Sequence, residues 1–141
     1  MNFESSLKEG FAKVVAKNKS RAKSLMRSGD QAIETAQIMP LNETSIKSVF
    51  RELYEGLRQH CEAIGFAYGY KFSSHETITY FLRDILGEAR VADKFDRYRK
   101  LRNGINYYGD EIEIVSVKEA LEEIPRLVSV LKKYFEEENE Q

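Results

Sequence analysis

Between Lys94 and Gly109 the chain sets Arg99, Arg102, Asn103 and Asn106 at helical spacing. At about 100° per residue these four side chains share one polar arc, with Tyr107 just past Asn103. Two guanidiniums and two amides gathered on one face could hold a phosphate and orient the sugar or base attached to it. Beside them Val91, Phe95, Tyr98, Leu101, Ile105 and Tyr108 form an apolar arc that must face a core. Arg102 falls on the border between the arcs, where a guanidinium is partly desolvated. The same spacing also fits a plainer arrangement, a solvated basic face paired with the acids of the last helix.

Other chemistry has little to stand on. The two histidines, His60 and His75, fall on different expected helices, and Cys61 is the single cysteine. With no Cys-x-x-Cys pair, a zinc site is not expected, and no metal or other cofactor is. There is no Gly-x-x-x-x-Gly-Lys-Ser/Thr loop and no Gly-x-Gly-x-x-Gly after a strand, which removes the common nucleoside-triphosphate and dinucleotide folds. Ser74-His75-Glu76 holds the residue types of a hydrolytic triad, but sequence neighbours on a helix do not face one another. A helix cap explains that tripeptide better.

The elements that would position these residues read as helices. Apolar positions recur from Phe3 to Ala36, interrupted at Asn18 and Gly29, which predicts one bent helix or a short helix followed by a longer one. Pro40 ends it, and Asn42 is the expected N-cap of a second helix over residues 43–68. That helix should bury Ile46, Val49, Phe50, Leu53, Leu57, Cys61, Ile64 and Tyr68. After a break at residues 69–72, Ser73 and Glu76 match a capping box for a third helix, which buries Ile78, Phe81, Leu82 and Ile85. Asp93 is the expected cap of the fourth, which should end at Tyr108-Gly109 on a left-handed glycine. Residues 110–115 alternate polar and apolar and suit an extended link. Ser116 and Glu119 form a second capping box. The last helix should bury Val117, Leu121, Ile124, Val128, Leu131 and Phe135 and kink at Pro125. No strand pair joined by a hairpin turn and no internal repeat is visible. The expected fold is all-α, an antiparallel up-and-down bundle of four to five helices in a single domain over residues 1–141.

Bulk properties narrow the partners. A 141-residue chain with 42% hydrophobic and 32% charged residues has the composition of a globular domain. Its net charge of −1 argues against wholesale polyanion binding, so any nucleic-acid contact must come from a local patch. Residues 90–102 carry six Lys/Arg against two acids, whereas residues 110–141 carry ten acids against four bases. Lys13, Lys17, Arg21 and Lys23 could extend a basic surface, although a solvated face accounts for them better. Glu136, Glu137, Glu138 and Glu140 read as a solvated helix end. A lone cysteine, the lack of an N-terminal apolar leader and the lack of a run of roughly 20 apolar residues lead us to expect a cytoplasmic protein away from the membrane.

Arg102-Asn103, followed by three residues and an aromatic, resembles the signature of HEPN domains. That signature is an Arg, then four to six residues, then a His, most often with Asn directly after the Arg. Gly69-Tyr70-Lys71-Phe72-Ser73-Ser74-His75-Glu76 also resembles the turn between the second and third HEPN helices, and the helix order agrees over nearly the whole chain. The resemblance implies a bundle of four or five helices that pairs as a homodimer, with two motifs meeting in one cleft. It implies either of two activities. One is a nucleotide- or RNA-binding subunit, partnered with a minimal nucleotidyltransferase in a toxin–antitoxin module. The other is a metal-independent endoribonuclease. A structural helical interaction module remains a third reading. Carried over, Arg102 contacts phosphate and Asn103 orients the site, while the shortest position of the signature His falls on Tyr107. A phenol with a pKa of about 10 is roughly 0.1% ionised at neutral pH, so Tyr107 donates hydrogen bonds far better than it abstracts protons. The longer spacings fall on Tyr108 and Gly109, which do not restore the His. The tyrosine that is adenylylated in some toxin members falls on Gly109, with Tyr107 and Tyr108 as neighbouring substitutes.

Overall fold

A computed structural model describes the backbone of residues 1–140 and the side chains of residues 1–136. The acidic side chains of Glu137, Glu138 and Glu140, expected at a solvated helix end, lie outside the described residues, while Glu136 is exposed. Six helices and two short strands follow in the order α1 Phe3–Glu9, β1 Ala12–Val14, α2 Lys19–Ile38, α3 Ile46–Tyr68, β2 Tyr70–Phe72, α4 His75–Tyr80, α5 Ala89–Tyr108 and α6 Ile114–Glu140. The fold is an all-α helical bundle with α3 at its centre, packed against α2, α5 and α6.

The expected α3 stripe is buried from Ile46 to Ile64, with Tyr68 half-buried at the end. Burial extends well beyond it, to Tyr54, Gly56, His60, Ala63, Gly65, Phe66 and Ala67, which makes α3 a core helix enclosed on nearly every side. Burying a large aliphatic or aromatic side chain contributes about 1.5–3 kcal/mol, so this helix dominates the hydrophobic drive to fold. On α6 the expected Val117, Ile124, Val128, Leu131 and Phe135 are buried and Leu121 is half-buried. The helix continues through Pro125 to Glu140.

The first forty residues form a short helix followed by a longer one, the second of the two expectations, but with a strand between them. The short helix is α1, but Ala12–Val14 leaves helical geometry and pairs antiparallel with Tyr70–Phe72 in the register Ala12↔Phe72, Lys13↔Lys71 and Val14↔Tyr70. Gly10, at φ +83°, ends α1 in the left-handed region, and Asn18 restarts the helix by accepting a hydrogen bond from the Arg21 amide at 2.9 Å. Asn18 is therefore a cap, not a polar interruption. The strand pair joins segments some sixty residues apart, so no turn signal marks it. Further backbone bonds from Val15 to Gly69 (2.9 Å), Asn18 to Phe66 (3.1 Å) and Ser73 to Phe11 (2.9 Å) extend the seam on both sides. Phe3, 2% exposed, closes it by packing edge-on against Tyr70, with Phe72 and Phe81 around it.

Four expected caps move. Helix α3 begins at Ile46, because Asn42 spends its side chain on the Thr44 and Ser45 amides in a preceding turn (2.9 and 3.1 Å). The cap of α4 is Ser74, whose hydroxyl accepts from the Thr77 amide at 3.3 Å. Ser73 is drawn away to donate to the Phe11 and Gly10 carbonyls across the strand seam, and Glu76 accepts from Tyr80 at 2.6 Å. A π-turn over Phe81–Ile85 follows α4, and it leaves the expected core residue Ile85 40% exposed. Helix α5 starts at Ala89 after Gly87, not at Asp93, because the Glu88 amide is already bonded to Leu82 and its carbonyl to the Ala92 amide. Helix α6 begins before Ser116, since the Glu113 carbonyl receives both the Ser116 and Val117 amides. The link between α5 and α6 is thus residues 109–113, opened by Gly109 in the left-handed region at φ +66°.

Among the described residues, no helix is long and apolar enough to cross a membrane.

Candidate functional site

Helix α5 is fixed to the bundle by its apolar side. Val91, Phe95, Tyr98 and Ile105 are buried and Leu101 is half-buried, while Tyr108, expected on the same arc, is 80% exposed in the last turn before Gly109. A second clamp is polar. The Tyr98 hydroxyl and Lys94 ammonium both bond the Glu123 carboxylate of α6. Burial works against ionising Glu123, but these two hydrogen bonds outweigh it and hold the carboxyl below its ordinary range. Arg97 pairs with Glu119 at 3.6 Å. The plainer reading of the basic helix, pairing with acids of the last helix, therefore describes Lys94 and Arg97.

Arg99 and Arg102 point elsewhere. With Asn103 and Tyr107 they line a concavity of about 350 Å³, whose far wall is Ser73, Ser74, His75 and Glu76 at the start of α4. Arg99 is held by Asp96 on its own helix, through Nε at 3.0 Å and Nη2 at 2.7 Å. Asp96 also accepts from Thr79 (3.3 Å) and pairs with Lys100 (3.0 Å). Burial opposes the Asp96 charge, but the Arg99 and Lys100 hydrogen bonds keep its carboxyl below the ordinary range.

Arg102 is the exception in this network. Among the described residues no carboxylate lies within 4.0 Å of it. Its guanidinium lies 5.7 Å from the centre of the Tyr54 ring and 5.9 Å from that of Tyr107, and Nη1 donates to Asn103 Oδ1 at 3.3 Å. A half-buried cation held by aromatic faces keeps most of its hydrogen-bond donors for a ligand. Asn103 is oriented by the same contact. Tyr107 is 69% exposed at the rim. Asn106 is not brought to the pocket. Its Oδ1 accepts from Arg51 Nε of α3 at 2.7 Å, a tie between helices.

The sequence reading set His75 aside as part of a cap. It is the first residue of α4, beside the Ser74 cap, and its ring also lines the pocket. Its Nδ1 lies 2.8 Å from the Tyr54 hydroxyl, and Tyr54, 1% exposed, stacks on Phe95 with ring centres 5.7 Å apart. Burial, then the positive fields of Arg58 and Arg102, push the His75 imidazole down to about 4, so it is neutral at physiological pH. Burial also raises the Tyr54 phenol, which stays protonated. Tyr54 thus bears on both walls, on α4 through His75 and on α5 through Arg102. It was missed because the expected α3 stripe runs through Leu53 and Leu57 and leaves Tyr54 off the buried face. The strand seam that sets Ser73 places the whole α4 wall, and that seam has no local signal.

Among the described residues no group of three His, Cys, Asp or Glu side chains is placed to hold a metal ion. The arrangement offers two guanidiniums, an amide, a neutral imidazole and an exposed phenol, with Glu76 at one edge. This is a donor-rich cleft suited to an oxyanion. Neither a scan against protein-family models nor a search of curated proteins returns a match for the chain.

Proposed function

We propose that this chain is a HEPN-like subunit that binds the phosphate of a nucleotide or of RNA in the pocket between α4 and α5. The observation that carries the reading is Arg102, a guanidinium without a carboxylate partner among the described residues, set over two tyrosine rings and facing other donors. A cation kept free of internal acids holds its Coulombic and hydrogen-bonding capacity for an external anion. Arg102 and Arg99 take the phosphate oxygens, Asn103 orients the attached group, and Tyr107 offers a hydroxyl or a stacking face at the rim. In this proposal the protein is cytoplasmic and homodimeric and acts beside a minimal nucleotidyltransferase in a toxin–antitoxin module. These assignments rest on the resemblance of the Arg102-Asn103 segment and the preceding turn to HEPN domains.

A second reading, metal-independent endoribonuclease, is favoured by the presence of one imidazole, His75, in the same pocket. Incubation with a short oligouridylate at low salt in EDTA separates the two. The binding reading expects a retained complex with intact RNA. Cleavage that persists in EDTA and is lost in Arg102→Ala would establish the nuclease instead. Absence of any complex at low salt would leave only the structural-module reading.

A further inference from the structure

The Tyr54–His75 contact decides which face of the imidazole the pocket sees. Tyr54 is buried and its phenol is held protonated, so its hydroxyl hydrogen needs an acceptor. Among the described residues the one group within hydrogen-bond distance of that hydroxyl is His75 Nδ1 at 2.8 Å. If Nδ1 carried a proton and donated to the phenol oxygen, the Tyr54 hydrogen would be left unsatisfied in the core, at a cost of about 1–3 kcal/mol. The lower-energy arrangement has Tyr54 donating to an unprotonated Nδ1. The ring proton then resides on Nε2, which has no protein partner among the described residues.

We propose that Tyr54 locks His75 in the Nε2–H tautomer, so that a neutral imidazole donates a hydrogen bond to an oxygen of the phosphate held by Arg102. The donor role rests on the phosphate-pocket reading above, whereas the tautomer does not. The charges around the ring agree with a neutral state. Arg58 and Glu55 face it from α3, Arg99 and Arg102 from α5, and Glu76 is its neighbour on α4. Arg58 is balanced by Glu55 and Glu62 and Arg99 by Asp96, which leaves Arg102 as the uncompensated positive charge acting on the ring. A second cation at His75 would repel Arg102, while a neutral N–H adds a directional donor without that penalty. The basic nitrogen of His75 is turned inward against Tyr54, away from any ribose hydroxyl in the pocket. The imidazole therefore serves binding and selection of an oxyanion, not proton abstraction.

The tautomer is read in the free protein from the ring nitrogen shifts of 15N-labelled histidine. With only two histidines in the chain, the signals are assigned by comparison with His75→Gln. The expected result at neutral pH is a pyridine-like Nδ1 and a pyrrole-like Nε2, which become a tautomer mixture in Tyr54→Phe. A protonated ring, the opposite tautomer, or a wild-type mixture overturns the lock. The ligand role is read with 2′-O-methyl oligouridylate, which cannot be cleaved through a ribose hydroxyl. His75→Leu should weaken binding about 10-fold, while His75→Gln, which keeps an N–H donor, stays within about threefold of wild type. Unchanged affinity in His75→Leu overturns the donor role even with the tautomer as expected. No binding by the wild type overturns the donor role and the phosphate-pocket reading together, and leaves the tautomer to its own measurement.

Discussion

Arg102→Ala is expected to lower affinity for a short oligouridylate by about 10- to 150-fold at low salt, with little loss of stability. The size follows from the contact being removed. Charge-assisted hydrogen bonds contribute about 1.5–3 kcal/mol, roughly twice a neutral bond. The Arg102 donors are not spent on any carboxylate among the described residues, so that contribution is available to the ligand. In the free protein the guanidinium lies 5.7 and 5.9 Å from the Tyr54 and Tyr107 ring centres, near the outer limit of such contacts, so together they contribute no more than about 1 kcal/mol. Thermal unfolding of the variant should therefore lie close to wild type, and binding titrations should not. Arg102→Lys restores the charge without the planar fork, so it should recover only part of the affinity. Equal weakening by Arg97→Ala, whose partner is Glu119 of α6, would point to a general basic face instead.

The second large effect concerns the frame. At Gly29 and Gly56 the backbones of α2 and α3 come into direct contact. A Cβ on Gly56 would lie 2.6 Å from Ile33 Cγ1 and 2.8 Å from the Gly29 carbonyl oxygen, and one on Gly29 would lie 2.8 Å from the His60 ring. The carbonyl belongs to a helix and cannot swing aside, so the helices must separate. Gly56→Ala should gain up to about 1 kcal/mol of helix propensity but lose more through overpacking, for a net loss of about 2 kcal/mol. In a chain of this size that is a fall in melting temperature of roughly 6–10 °C. Gly104→Ala provides the contrast. The nearest atoms to its new methyl belong to the Asp110 side chain, whose carboxylate can rotate away, and its effect should stay within about 1 kcal/mol. Equal melting temperatures for Gly56→Ala and wild type would mean that the two helices do not cross this closely.

These glycines illustrate what the sequence concealed. Gly29 breaks an apolar period and reads as a weak point in a helix, whereas in the fold it is where α2 rests on α3 and the His60 ring. The stripes of α3 and α6 were legible because burial on a helix repeats every three to four residues and needs no knowledge of partners. Caps were less so. Asn42, Ser73 and Asp93 are all competent capping types, but a competing bond nearby decides each case. Asn42 forms its own turn, Ser73 is claimed by Gly10 and Phe11, and Asp93 lies inside a helix already begun at Ala89. Strand β1 was hidden because three residues pair with a segment far along the chain.

The candidate site was legible on one helix and not on the other. Arg99, Arg102, Asn103 and Tyr107 share a face by periodicity alone, and the structure keeps them together. Asn106 has the same periodicity but turns to Arg51, a partner that no helical wheel contains. His75 enters the pocket through tertiary packing, and Tyr54 meets it from the core. The one imidazole of the pocket comes from α4 and is held neutral by burial and the charges of Arg58 and Arg102.

The central claim is that the Arg102 pocket, and not a diffuse basic surface, receives phosphate. The most direct measurement is an amide chemical-shift map of the protein titrated with 2′-O-methyl oligouridylate at low salt. Shifts concentrated at residues 73–76 and 99–107, collapsing in Arg102→Ala, are the expected result. Shifts centred instead on the basic residues Lys13, Arg21 and Lys23, or undiminished in Arg102→Ala, would contradict it.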